Sequence, residues 1–418
     1  MSEAFDVAII GGGPAGSAAG TLLAKAGRRV VIIEKEKFPR FSVGESTLPA
    51  TLNTLERMGV REKIDQGGFL VKHGGEIVSA CGQRVRFYFR NGFKSKRPTA
   101  YQVLRSEFDR ILLDHAAETG CDVRQQTTVN SFELDSDGVT LRVTDGQQVV
   151  RAKYVVDCSG RGCVIGNRFQ LKRRFPNLRK FSLYAYFDDV GRLDGPDGTL
   201  TRMVRTKDSW FWMIPLKGNT TSIGVVMDAE KFKSMKMSPE AALAHCIAEQ
   251  PVVNEWMENA RRVTDVYATG DFSYRNKPLF GDRWLLAGDA AGFIDPVFSS
   301  GVYLALLSGE QAADTLNLAL DHPQKRAKAF QYYERRIGRV LDIYLRWASA
   351  WYTQEFVEVF LFPKKIFEIV PTVSAVLSGN EVRDFSMRWR LCIFHMLVAL
   401  QKRTSKVAPK LTLIPKTT

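Results

Sequence analysis

FDVAIIGGGPAGSAAGTLLAKAGRRVVIIEK, residues 5–35, is the stretch that decides the fold. Residues 5–10 are an apolar run, residues 11–16 are mostly glycine, and residues 17–35 read as a helix followed by a second apolar strand. Gly11, Gly13 and Gly16 keep the G-x-G-x-x-G spacing. The first glycine permits a tight turn, the second lets the backbone approach a pyrophosphate, and the third lets the helix pack closely on the strand. The helix start would present free N–H groups and a positive dipole end to the phosphates, with Pro14 and Ala15 in the same turn. Ala18, Ala19, Gly20 and Ala24 keep the helix slim enough to lie on a sheet. Glu34 ends the second strand, where a carboxylate can accept both ribose hydroxyls. Strand, glycine turn, helix and terminal acid together predict dinucleotide binding.

The chain has 418 residues, enough for two interleaved domains, with 45% hydrophobic and 25% charged residues. Met1–Phe5 lead directly into the first strand without the regions of a signal peptide, and Leu391–Leu400 is too short to span a bilayer. Six cysteines with no CxxC pair fit a reducing cytoplasm, the expected location. Five histidines without ligand spacing argue against a metal enzyme. The net charge of +14 is uneven. Residues 361–418 hold ten Lys/Arg against three Asp/Glu, and residues 77–106 hold seven Lys/Arg and no acid. Such surfaces suit an acidic partner or peripheral contact with an anionic membrane. No nucleic-acid-binding motif accompanies them.

Only one dinucleotide fingerprint is present, which favours a flavin over a nicotinamide–flavin pair. LRSEFDRILLDHA (104–116) opens a helix with Arg105, Phe108 and Asp109, and VVDCSG (155–160) is a strand with a small-residue turn. WLLAGDAAGFIDPVFSSGVYLAL (284–306) is strand, Gly288–Asp289 turn and helix. Asp289 is placed for a ribityl or diphosphate-side hydroxyl. The backbone around Ser299–Val302 opens a helix whose N–H groups can face a flavin ring. Arg40 suits a cofactor phosphate or an acidic neighbour, and Arg105 is the better phosphate candidate. In DSWFWMIP (208–215), Trp210 and Trp212 alternate on one strand face. Two such indoles are ordinarily core; whether they line a reaction chamber is the question the other motifs bear on.

Together, the glycine fingerprint, Arg105 with Asp109, DCSG and GDAAGFIDP resemble the FAD-binding fold of the p-hydroxybenzoate hydroxylase class. Further segments narrow the resemblance to flavin-dependent halogenases of phenolic and pyrrolic groups. FPRFSVGESTLP (38–49) resembles a segment shared by halogenases and geranylgeranyl-reductase-like proteins. FLVKHGG (69–75) places Lys72 where halogenases carry a lysine, WFWMIP (210–215) fits W-x-W-x-I-P, and DPVFSSGV (295–302) is similar to the segment beside the flavin.

The resemblance implies that bound FAD, used as FADH2, and O2 oxidise chloride or bromide to hypohalous acid. It further implies that Lys72 receives this oxidant and that Trp210 and Trp212 wall the flavin off from an electron-rich substrate. The implied halide site is the backbone at Ser300 and Gly301. The implied cofactor set is Gly11, Gly13, Pro14, Ala15, Gly16, Glu34, Arg40, Ser46, Arg105, Gly288, Asp289, Pro296, Gly301 and Val302. Ser46 and Pro49 would shape the loop over the isoalloxazine. Glu45 is as readily a structural carboxylate as a flavin-side one, and His73 points away from Lys72 if the segment is a strand.

The expected fold is α/β. A Rossmann-like FAD-binding domain (1–75, 100–165 and 275–320) is interleaved with a mostly antiparallel substrate-side sheet (76–99 and 166–274). A helical C-terminal region (321–418) ends in a loose basic tail over residues 403–417. The expected partners are a separate flavin reductase and a small aromatic substrate, free or tethered to an acidic acyl or peptidyl carrier protein. The competing readings are an FAD-dependent reductase of prenyl or lipid chains and a flavoprotein without turnover.

Overall fold

The computed structural model describes residues 4–144, 146, 148–270, 272–362, 367–380 and 385–414. Its first sheet is built on the glycine-motif strand Ala4–Ile10, which pairs in parallel with Val30–Ile33 on one side and Gln148–Asp157 on the other. Asp122–Arg124 extends the sheet beyond Val30–Ile33, and Trp284–Leu286 pairs in parallel with the end of Gln148–Asp157. An antiparallel hairpin, Val129–Leu134 and Val139–Val143, completes it. The parallel strands are continuously apolar because both of their faces are buried; Val7, Ile9, Val31, Ile32 and Val155 are fully buried.

Helix Pro14–Lys25 packs against helix Gly301–Asp321. The approach is close because Gly309 carries no side chain: a Cβ there would lie 2.2 Å from the Ala15 carbonyl oxygen. The glycine turn at 11–16 and the helix start at 301 therefore belong to one rigid layer.

The second sheet runs Arg261–Arg262, Lys180–Asp188, Thr221–Asp228, Ser209–Pro215, Thr201–Arg205, Gly74–Ser79, Arg84–Tyr88, with Tyr267–Gly270 also on Lys180–Asp188. Neighbours are antiparallel except Thr201–Arg205, which is parallel to Gly74–Ser79. Period-two alternation divides its faces. Phe211, Met213, Leu183 and Val225 pack under helices Pro239–Ala248 and Pro251–Trp256. Trp210, Trp212, Tyr184 and Val226 join the core shared with the first sheet. The three helices within residues 229–256 depart from the expected sheet; they close its outer face.

The C-terminal region is helical: Arg326–Trp351, Gln354–Leu361, Ile369–Leu377 and Phe385–Thr404. No described helix is long and apolar enough to cross a membrane. The tail is not loose as far as it is described. Val407, Ala408, Leu411 and Leu413 are buried. Gln401 Oε1 accepts from the Val407 and Ala408 amides at 2.9 Å, Glu358 accepts from the Leu411 amide at 3.0 Å, and the Lys207 amide donates to the Leu413 carbonyl at 2.9 Å. Alternating apolar residues and satisfied backbone groups outweigh the basic composition that predicted looseness. Residues 415–418 lie outside the described residues.

Candidate active site

The glycine turn has the form of a phosphate cradle. Gly11 adopts φ +103°, and a Cβ on it would lie 2.4 Å from the Cys158 carbonyl oxygen. A Cβ on Gly16 would lie 1.9 Å from the Gly11 carbonyl oxygen. Gly13 caps helix Pro14–Lys25 without any side-chain cap, which leaves the first amides to a ligand. Glu34 is buried and accepts from the Gly12 amide at 2.7 Å and the Glu36 amide at 2.9 Å, so its carboxylate is pinned beside the turn. The space above Gly13 belongs to Arg40, whose guanidinium lies 3.5 Å from where a Cβ would sit. Arg40 also lies over the Phe38 ring and 3.7 Å from Asp109. Arg105 is more committed: Asp109 holds it through bonds of 2.8 and 2.9 Å, and it donates to the Val43 carbonyl at 2.6 Å. Asp289 follows Gly288, whose φ is +60°, and burial raises its carboxyl to about 6 against the pull of Arg105 and Arg161. A glycine cradle, an uncapped helix start, a pinned acid and basic side chains beside them fit FAD.

Lys72 ends the short strand Leu70–Lys72, and its side chain is buried. Its Nζ donates to Ser46 Oγ at 2.7 Å and to the Thr47 carbonyl at 3.1 Å, and lies 5.2 Å from the centre of the Phe89 ring. No carboxylate is among these partners. Burial alone therefore lowers the ammonium from 10.5 to about 7. Ser46 is thus a partner of Lys72, and the same Ser46 Oγ contacts Thr201 Oγ1 at 2.9 Å. His73 faces elsewhere, with Nδ1 3.0 Å from Thr199 Oγ1.

Trp210 and Trp212 do share one face, with ring centres 5.9 Å apart, and both are buried. Trp212 Nε1 donates to Ser222 Oγ at 3.2 Å, and Trp210 Nε1 donates to Tyr352 Oη at 3.0 Å. Helix Gly301–Asp321 begins after Ser300, which is buried and offers no side-chain cap. A Cβ on Gly301 would meet only Phe293, at 3.7 Å, so the protein's own packing does not require glycine there.

A family model described as "FAD binding domain" matches residues 4–340. The 1H-pyrrole-2-carbonyl-[peptidyl-carrier protein] chlorinase of Pseudomonas fluorescens is 32% identical over 374 residues, covering 83% of each chain. The corresponding brominase of Pseudoalteromonas luteoviolacea is 32% identical over 340 residues, covering 79% of this chain and 82% of its own. The chain belongs to the flavin-dependent halogenases. A solved flavoprotein/dehydrogenase from Cytophaga hutchinsonii shares the fold of this halogenase, with TM-score 0.88, 27% identity and coverage of 97% and 100%. The reading as a prenyl-chain reductase is not favoured by these matches.

Sequence reasoning missed several polar partners in the halogenase. Tyr352 Oη donates to Asp295 Oδ2 at 2.8 Å, and Asp295 Oδ1 accepts from the Val297 amide at 3.0 Å. Glu45 is buried and accepts from Tyr186 Oη at 3.0 Å, while Phe41 stacks on Tyr267 at 4.2 Å. Tyr352 comes from a helix end 142 residues beyond Trp210, a pairing that no local pattern announces.

Proposed function

We propose that the halogenase places chlorine or bromine on a pyrrolic or phenolic ring carried as an acyl group on a carrier protein. The observation that carries this reading is Lys72, buried, held by Ser46 and Thr47, and without a carboxylate partner among the described residues. The tethered pyrrole follows the activities for which the two relatives are named, and the basic stretch 84–97 suits an acidic carrier. Bound at the glycine cradle as FADH2, with O2 as co-substrate, the flavin supplies the two-electron oxidation of halide to hypohalous acid. A separate flavin reductase provides the reduced form, consistent with the single dinucleotide fingerprint.

Each of the chain's own groups then has a task. The amides of Ser300 and Gly301 hold the halide at the positive end of a helix. Trp210 and Trp212 exclude the organic substrate from the flavin side and pass only a small oxidant. Lys72 has three N–H donors, of which Ser46 and Thr47 take two, and the third holds the oxygen of hypohalous acid. The ring carbon attacks the halogen as the halogen–oxygen bond breaks. The Lys72 ammonium gives its proton to the departing hydroxide, forming water. The proton lost from the ring carbon returns the amine to ammonium. The net change is exchange of a ring hydrogen for halogen.

Pyrrolyl-carrier protein and free pyrrole-2-carboxylate, each incubated with reductase, FAD, O2 and bromide, test the reading by mass spectrometry. Halogen on the carrier-bound ring alone is the expected result. Halogen on the free acid alone would refute tethering, and flavin turnover indifferent to halide would refute the chemistry.

A further inference from the structure

The end of helix Arg326–Trp351 wedges between the tryptophan wall and the turn that leads into the helix start at 301. Trp351 makes edge contacts with Trp210 at 6.4 Å and with Phe298 at 6.0 Å between ring centres. The next residue, Tyr352, makes the polar link: it accepts from Trp210 Nε1 at 3.0 Å and donates to Asp295 Oδ2 at 2.8 Å. Asp295 holds the Val297 amide, so the turn Pro296–Phe298 hangs from the same carboxylate. Tyr352 is itself immobilised. Lys180 Nζ sits 3.9 Å from the centre of its ring, and Arg205 reaches its backbone carbonyl at 3.4 Å. Asp295 is 4% exposed and Trp210 1% exposed, so neither can exchange this partner for bulk water.

We propose that Tyr352 and Asp295 are a positioning pair that locks the Trp210 indole and the 296–300 turn in one register, so that the C-terminal helices set the geometry of the halide-binding backbone. This rests on the reading of Ser300 and Gly301 as the halide site. Neither residue touches substrate; both act through the indole and the turn. Removing the Tyr352 hydroxyl unties the two elements at once, while Trp351 keeps the apolar packing in place.

The test uses the full-length, FAD-loaded protein with Tyr352→Phe, Asp295→Asn and the double variant. Bromide affinity is read twice: from the perturbation of oxidised flavin absorbance, and from the bromide KM of haloamine formation with reduced FAD and O2. The expected result is a bromide Kd and KM about tenfold higher in Tyr352→Phe, the scale of one hydrogen bond to a charged group. kcat at saturating bromide should stay within about twofold, since the pair does not touch the reacting atoms. The double variant should be no worse than the worse single variant, since the two residues act as one unit. Unchanged bromide affinity in both single variants would overturn the proposal. So would additive losses, or losses that track FAD retention and melting temperature. If Tyr352→Phe does not fold, Asp295→Asn decides alone by the same split. A wild-type protein whose turnover never saturates with bromide would instead refute the halide site itself.

Discussion

Trp212 and Gly224 face each other across adjacent antiparallel strands, and a Cβ at position 224 would lie 2.2 Å from the indole. The glycine is therefore the floor on which the Trp212 ring lies. Gly224→Ala should push the indole away from Trp210 and open the wall, at about 1–3 kcal/mol of stability. Peroxide released per flavin oxidised should rise while FAD binding is retained. A peroxide assay beside flavin absorbance checks this, and unchanged coupling would mean that the wall is not what separates oxidant from substrate.

Lys72→Met keeps the volume of the stem and removes the ammonium. Ring halogenation should fall by about a hundredfold or more, the scale of a positioned proton donor. Haloamine trapped from free oxidant should persist, because halide oxidation belongs to the flavin side of the wall. Parallel loss of both signals would place Lys72 in the flavin site instead.

The pH dependence follows from the same group. Its ammonium titrates at about 7 in the fold against 10.5 ordinarily. Donation to departing hydroxide needs the charged form, so the ratio of halogenated ring to trapped oxidant should fall as pH rises through about 7. A ratio that rises would assign the neutral amine, acting as a nucleophile. For stability the sign is opposite. The unfolded chain binds more protons between about 7 and 10.5, so the cost of burying Lys72 is largest below pH 7 and fades towards 10.5. Lys72→Met should therefore stabilise the protein most at pH 6, as urea midpoints across pH would show.

The glycine turn, Glu34 and the tryptophan strand were legible because each is specified locally: a turn by its glycines, a strand by period two. Lys72 was legible only by resemblance, since nothing in FLVKHGG announces that its side chain is buried among Ser46, Thr47 and Phe89. Tyr352 and Asp295 were not legible, because their partnership depends on how a distant helix docks. The tail was misread because its lysines dominate the composition, while Val407, Leu411 and Leu413 decide its placement.

That docked tail makes a final prediction. Glu358 is buried, and its Oε1 accepts both the Leu411 amide at 3.0 Å and Gln354 Nε2 at 2.9 Å. The Leu413 carbonyl holds the Lys207 amide, one turn before Trp210. Truncation after Ser405 removes this apolar contact and leaves Glu358 short of a donor. The loss should be on the order of 3 kcal/mol. In the intact protein Lys406 and Lys410 should resist trypsin as long as the core does, because their backbone is tied down on both sides. Rapid trimming at these lysines, with an unshifted urea midpoint in the truncated protein, would restore the loose tail. The expected course is protection in the intact chain and a lower midpoint in the truncated one. Peroxide leakage should rise with it, since the Lys207 turn that anchors the tryptophan strand loses its partner.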